Sequence, residues 1–282
     1  MSISIRPLSE LDLESAGAIL TSAFGASASR LFDLQLYLQI QPDGWFLALQ
    51  NEKPVGMVGA TNYGAYAYVG MMGVLQEAQR KGVGLALMQS LLGWLDRQQV
   101  PVIVLDASQA GQPLYERLGF IAYDETHVFQ RAGGFLDKGS IVHVQSLCVQ
   151  DLDALVEFDT GLFGANRSKV LRVLLKAFPK RAFMLQNEQG SITGYFCAQE
   201  GRLGPWVSQS SQGADLLLRA ALSLPFEEPV SVVVPGTNRE AIDLLLHYGF
   251  EKIRTNRHMG KGQTYPPSQR SYIYGQTSLS VG

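Results

Sequence analysis

Residues 79–84, Gln79-Arg80-Lys81-Gly82-Val83-Gly84, could hold an anion. Glycines at 82 and 84 let the backbone approach a phosphate with no Cβ in the way. Good helix formers follow from Leu85 to Leu95, and the first turn of a helix presents free N–H groups and the positive end of its dipole. Arg80 and Lys81 add charge. The apolar run Val69 to Val74 before the loop reads as a strand, so the unit is strand, glycine turn, helix. A second group with chemical potential is Tyr115, in Pro113-Leu114-Tyr115-Glu116-Arg117-Leu118-Gly119-Phe120. A phenol there could donate a proton to a group of similar basicity, or simply fill a core. Asp106 ends the β-branched run Pro101 to Asp106 and could orient an amine, receive its proton, or cap the next helix.

Three phosphate-binding patterns compete for the loop. A P-loop needs Gly-Lys followed by Ser or Thr, and Gly84 is followed by Leu85-Ala86. A dinucleotide fingerprint needs a third glycine where Leu87 stands, although Asp106 lies at a plausible acidic spacing. The third pattern fits: Gln79-x-x-Gly82-x-Gly84 resembles the pyrophosphate loop of the GCN5-related N-acetyltransferases (GNAT), and Leu114-Tyr115 closed by Gly119-Phe120 resembles that family's second hallmark.

The elements needed to position these residues follow in order. Ile3 to Arg6 alternates as a strand. A helix capped at Ser9 ends near Gly25, and a second runs from about Ser29 to Gln39. Trp45–Leu49 and Val55–Thr61 form two strands, and a last strand covers Ala122 to Gln130. Arg131-Ala132-Gly133-Gly134 begins a linker, placed at 132–140, after which the pattern restarts with a strand at Ile141–Gln145. Asp12-Leu13 maps onto Asp151-Leu152, Phe24-Gly25 onto Phe163-Gly164, the turn at Asn51-Glu52 onto Asn187-Glu188, and Gly119-Phe120 onto Gly249-Phe250. The resemblance therefore implies a mixed α/β chain of two tandem GNAT folds, each a mostly antiparallel sheet flanked by helices. An acetyltransferase unit occupies 1–131 and a divergent unit 141–282.

The second unit departs where chemistry would sit. Ser208-Gln209-Ser210-Ser211-Gln212-Gly213 has one glycine and no basic residue, Leu245 stands in the place of Tyr115, and Pro205 interrupts a strand. Asn238 matches the family asparagine that the first unit replaces with Ser108. The second unit reads as a degenerate copy, although its serines and helix start leave room for an anion.

For the first unit the resemblance implies acetyl-CoA as donor, bound through Met72, Gly73 and Val74 along its arm. Gln79, Arg80, Lys81, Gly82, Val83, Gly84, Leu85 and Ala86 would surround the pyrophosphate, with Ser108 and Tyr115 beside them. It also implies the Val74 amide as oxyanion donor and Tyr115 as the acid that protonates the departing thiolate. The acceptor would be a small amine. A non-catalytic acyl-CoA-binding protein is the alternative. Trp45, Tyr63, Tyr66 and Tyr68 could line an acceptor pocket or pack as strand faces, and Tyr265-Pro266-Pro267 and Tyr272-Ile273-Tyr274 could reach back to the first unit or form a last strand.

Composition bounds these readings. The chain has 282 residues, enough for two modest domains, and 46% hydrophobic content supplies a core for each. A net charge of −2 argues against a general nucleic-acid surface. No apolar run reaches membrane-span length, and Met1 to Arg6 carries no signal-peptide pattern. Cys148 and Cys197 read as buried thiols of a reducing, cytoplasmic protein, and the scattered His127, His143, His247 and His258 form no metal-ligand pair. No feature specifies an oligomeric state.

Overall fold

A computed structural model of the chain describes residues 3–25, 30–133, 143–227, 229–262 and 268–282. In the first half, β1 (Ile3–Pro7) leads to α1 (Leu13–Phe24) and α2 (Leu31–Ile40). Next come β2 (Trp45–Gln50), β3 (Lys53–Asn62), β4 (Ala67–Val74), α3 (Val83–Arg97), β5 (Val102–Ala107), α4 (Gln112–Arg117) and β6 (Ile121–Arg131). The second half repeats the order. Its elements are β7 (Gln145–Ser146), α5 (Leu152–Phe163), α6 (Ser168–Ala177), β8 (Ala182–Gln186), β9 (Ile192–Ala198), β10 (Leu203–Ser208), α7 (Ser211–Leu222), β11 (Val230–Pro235), α8 (Arg239–His247) and β12 (Glu251–Gly262). A short β13 (Ile273–Gly275) follows. Ile141, Ser29 and Tyr265 to Pro267 lie outside the described residues.

The repeat shows in backbone chemistry as well as in element order. Gly25 and Gly164 close α1 and α5 at φ +59° and +85°, and Gly119 and Gly249 follow α4 and α8 at +85° and +76°, all left-handed positions where a Cβ is strained. Before α1, the Ser9 N–H donates to Asp12 Oδ2 at 2.9 Å; before α5, the Cys148 N–H donates to Asp151 Oδ2 at 2.9 Å. Cys148 is thus an exposed cap residue whose thiol also points at Asp151, not the buried thiol expected of it, because its apolar neighbours alternate away from it.

Strand alternation divides the first half's core. On β5, Val102 and Val104 face α1 and α2 with Leu20, Leu34, Trp45 and Met57, whereas Ile103 and Leu105 face α3 with Leu87, Met88 and Leu91. The first of these layers continues into the second half through Phe163, Val170, Leu174 and Val281.

The strands do not stay within their halves. One sheet runs β1-β2-β3-β4-β5-β12-β6-β11, and a second runs β13-β10-β9-β8-β7. β12 of the second half lies between β5 and β6 of the first, pairing Arg257 with Ala107 and Glu125, and β6 pairs in turn with β11. The two halves are therefore joined by a shared sheet across the expected linker. No helix among the described residues is long and apolar enough to cross a membrane.

Candidate active site

The site begins where β4 leaves β5. These strands form the one parallel pairing among the named strands, and it covers only Ala67 with Ile103, Tyr68 with Val104 and Val69 with Leu105. Beyond Val69, β4 bulges: Gly70 pairs with Gly59 and Gly73 with Met57, so Met71 and Met72 together oppose Val58. Met71 takes φ +52°. Such a bulge adds twist and turns the strand from its neighbour, which opens a wedge between β4 and β5. Leu75 donates its N–H to Val55 O at 2.9 Å, so Leu75 faces β3 and strand alternation turns the N–H and C=O of Val74 toward the wedge. The Gln79 carboxamide takes that Val74 carbonyl at 3.0 Å, leaving the Val74 N–H. Gly73 has another reason to lack a side chain: a Cβ there would meet Leu20 and Ala23 of α1 at 3.1 and 3.2 Å.

The loop lies at the wedge's end. Arg80 and Gly82 take φ +58° and +87°. Six consecutive N–H groups, Arg80 through Leu85, find no acceptor among the described residues. The N–H of Ala86 already bonds Gly82 O at 3.0 Å, so Ala86 closes the first helical turn and is not part of the free run. At Gly84 an added Cβ would meet Leu114 Cδ2 at 3.3 Å and Met72 Cε at 3.6 Å, which brings the loop, the arm strand and α4 together at one point. Arg80 and Lys81 are exposed beside the amides, and Val83 is buried beneath them, anchoring the turn in the α3 layer. An anion with several acceptor oxygens fits this donor set.

Tyr115 is buried in that same layer, its ring edge-on to Phe120 at 6.0 Å. Burial pushes its phenol well above the usual range, with no opposing charge, so the group stays protonated. Its Oη has no hydrogen-bond partner among the described residues. Ser108 Oγ accepts the Gly111 N–H at 3.2 Å and helps start α4.

Asp106 is the first β5 residue past the β4 pairing, and it does not cap α4. Tyr68 Oη donates to its Oδ2, Thr126 Oγ1 donates to Oδ1 at 2.6 Å, and His258 Nδ1 lies 2.8 Å from Oδ1. Burial opposes its ionisation, yet His258, Arg270 and Thr126 outweigh that and bring the carboxyl down to about 2. His258 was unreadable from the chain: it is 152 residues from Asp106 and arrives on the exchanged strand β12.

Of the aromatics considered for an acceptor pocket, only Tyr68 reaches this cluster. Trp45 stacks on Tyr37 at 5.8 Å, and Tyr63 and Tyr66 pack on Phe163 at 5.0 and 5.5 Å. Two surface clefts lie elsewhere. One of about 370 Å³ is bounded by Asp124, His127, Arg239 and Arg257, and one of about 600 Å³ lies beside α2 near Leu38; neither includes the loop or Tyr115. No group of three or more His, Cys, Asp or Glu among the described residues could hold a metal ion.

The second half closes its equivalent wedge with its own chain. β13 pairs with β10 through Trp206–Gly275 and Val207–Ile273, and Gln276 donates its N–H to Val233 O of β11 at 2.7 Å. Ile273 and Tyr274 therefore lie in the last strand, and Tyr272 ends the short helical turn before it. Gly204 packs so closely there that a Cβ would collide with Gln276 O. At the start of α7, Ser210 Oγ accepts the Gly213 N–H at 3.1 Å and Ser210 O accepts that of Ala214 at 3.0 Å, so the helix caps itself. Asn238 caps α8 and donates to Ile273 O at 3.0 Å, which ties β13 down.

Comparison with known proteins finds two acetyltransferase domains in tandem. Residues 13–120 match the acetyltransferase (GNAT) family, and residues 155–275 match a second acetyltransferase (GNAT) domain. A holothin acyltransferase of Pseudoalteromonas sp. strain SANK 73390 is 27% identical, covering 89% of this chain and 86% of its own. An uncharacterized N-acetyltransferase of Bacillus subtilis strain 168, YitH, is 26% identical over 88% of each chain. Among solved structures, a protein of Pyrococcus horikoshii assigned to the acetyltransferases superposes with a TM-score of 0.87 at 25% identity, covering 99% of this chain and 96% of that one. A tandem GNAT protein from the clavulanic acid biosynthesis pathway shares the fold at a TM-score of 0.62 and 14% identity, covering 94% of this chain and all of that one.

Proposed function

The chain belongs to the GNAT family with two copies of the fold in tandem, and on that premise we propose that it is an acetyl-CoA-dependent N-acetyltransferase acting on a small amine. The observation that carries this reading is the wedge between β4 and β5, which leads to six acceptor-free N–H groups at the start of α3. The Arg80 to Leu85 amides hold the pyrophosphate, helped by the Arg80 and Lys81 side chains. Backbone groups of Met72 and Val74 pair with the pantetheine arm as an added strand. Acetyl-CoA supplies an activated acyl carbon when bound. The Val74 N–H receives the charge that develops on its carbonyl oxygen, and Tyr115 gives a proton to the departing sulfur. Transfer is direct, with donor and amine held together.

The duplicated units run over 1–131 and 141–282 in sequence, with β6 and β12 exchanged across them, and only the first holds the donor. The protein works in the cytoplasm, a setting that suits two free cysteines of which one, Cys197, has its thiol pushed up to about 12 by burial.

Calorimetry with acetyl-CoA tests the donor site. A Gly84→Asp carboxylate would occupy the free amides itself, while its Cβ meets only the flexible ends of Leu114 and Met72. Affinity should fall at least tenfold, about 1.4 kcal/mol, with circular dichroism unchanged. Unaltered binding by this variant would remove the loop from the site.

A further inference from the structure

Transfer to an amine needs a group that takes the nitrogen's proton, and neither sequence motif supplies one. A candidate is assembled where β4 and β5 separate. Asp106 is the first residue beyond their pairing, and His258 of β12 lies directly opposite it in the antiparallel register. Both side chains belong to the layer that holds Tyr68 and Val104, the face of the sheet opposite α3 and Tyr115.

Every oxygen of Asp106 is committed. Oδ1 faces Thr126 Oγ1 and His258 Nδ1, and Oδ2 faces Tyr68 Oη and, at 3.4 Å, Gln276 Nε2. Arg270 supports the set from behind: its Nε bonds Asp124 Oδ2 at 2.7 Å and its Nη2 reaches Thr126 Oγ1 at 3.2 Å. A carboxylate only accepts, so the imidazole must carry its proton on Nδ1, which leaves Nε2 with a lone pair. Nε2 has no hydrogen-bond partner among the described residues. The His258 side chain is 3% exposed. The Tyr123 ring, edge-on at 5.0 Å, fixes the imidazole plane. A ring held by a carboxylate on one nitrogen and unpaired on the other is the arrangement of a general base.

We propose that His258 Nε2 is the general base of the transfer and that Asp106 is its positioning residue, an inference that rests on the N-acyltransferase reading. As the amine nitrogen bonds the acyl carbon, its proton passes to His258 Nε2. The carbon–sulfur bond then breaks with the electron pair on sulfur, and Tyr115 supplies the proton that makes the free thiol. His258 returns its proton and Tyr115 regains one through solvent, so one amide and one thiol form for each thioester and amine consumed. The groups facing His258 are Tyr68 on β4, Asp106 on β5, Tyr123 and Asp124 on β6, and Arg270 before β13. Burial, with Arg270 close by, pulls the imidazole below its usual value against the opposite pull of Asp106 and Asp124, so the ring is neutral near pH 7. The second half would thus serve the reaction without binding donor, by lending a strand that carries the base.

Two measurements on the full chain test this. Nitrogen-15 shifts of the imidazoles at pH 8 should show His258 protonated at Nδ1 and bare at Nε2. A ring protonated at Nε2 would overturn the proposal whether or not turnover is found. Thiol release from acetyl-CoA should then be followed with benzylamine and 1,3-diaminopropane, and with water alone, since hydrolysis also needs a base. His258→Gln keeps a donor for Asp106 but removes the base. It should lower kcat at least tenfold, a floor set below the roughly 10²- to 10⁴-fold worth of general-base catalysis because water can substitute in part, with the acetyl-CoA Kd unchanged within twofold. The acid limb of the wild-type pH profile should vanish in the variant. A folded His258→Gln protein with wild-type kcat and the same acid limb would overturn the proposal while leaving acyl transfer standing. Wild-type protein whose thiol release ignores both amines would instead count against the transfer reading.

Discussion

Replacing Tyr115 with Phe separates catalysis from packing. The ring sits edge-on to Phe120 in the α3 layer, and the phenol oxygen has no protein partner among the described residues. Tyr115→Phe therefore removes no internal hydrogen bond and creates no cavity, and the denaturation midpoint should move by less than about 0.5 kcal/mol. Acetyl-CoA affinity should hold within about twofold, roughly 0.4 kcal/mol, because the proton is given only as the thiolate leaves. The rate should not hold. Burial keeps the phenol protonated across the working pH range, and a positioned acid is worth about 10²–10⁴-fold. A loss of at least tenfold in kcat, about 1.4 kcal/mol, allows water to substitute in part. The assay is thiol release at saturating acetyl-CoA, with single-turnover runs to confirm that chemistry limits the rate. If no amine is yet identified, hydrolysis of acetyl-CoA serves. A Tyr115→Phe enzyme with wild-type kcat under those conditions would return Tyr115 to the core and refute the assignment.

Three further outcomes follow from the same geometry. Titration with acetyl-CoA should give one tight site per chain, because β13 fills the second wedge; two equivalent sites would contradict that. Asp159 pairs with Arg167 at 2.7 Å in the core between the halves, and Tyr195 Oη and Thr277 Oγ1 complete the set. Asp159→Asn leaves the guanidinium buried without its carboxylate and should cost about 3–5 kcal/mol in chemical denaturation; a loss under 1 kcal/mol would show that the pair is dispensable. Stability should be level above pH 6.5 and fall as pH drops below it: burial depresses His258 and His127 in the folded chain, so the unfolded chain binds protons first. A midpoint that stays flat down to pH 5 would contradict this.

What could be read from the chain was local. The loop at 79–84 and the Leu114-Tyr115 helix announce themselves because their chemistry lies within a few residues, and the glycines that end α1, α4, α5 and α8 mark the duplication for the same reason. Asp106 was placed correctly at a strand end, yet its role was hidden, since its partners His258, Tyr68 and Gln276 come from three other stretches. Alternation identifies a strand but not its neighbour, so nothing in Glu251 to Gly262 revealed that β12 crosses into the first half's sheet. Pro205 and the serines after it marked where the second unit departs from the first, but not that β13 pairs with β10 there. Trp45, Tyr63 and Tyr66 had the composition of a pocket and became core because Tyr37 of α2 stacks on Trp45 and Phe163 of α5 packs on Tyr63 and Tyr66.

The most direct test of the account is product analysis with acetyl-CoA carrying a carbon-13 acetyl group, incubated with the intact chain and a panel of primary amines. Thiol release should rise above the slow amine-free hydrolysis when an accepted amine is present, and the label should be recovered as an amide on that amine's nitrogen in an amount equal to the amine-dependent thiol. Tight binding of acetyl-CoA with no amine-dependent thiol release and no labelled amide across the panel would contradict it, and would leave the chain a binder of acyl-CoA.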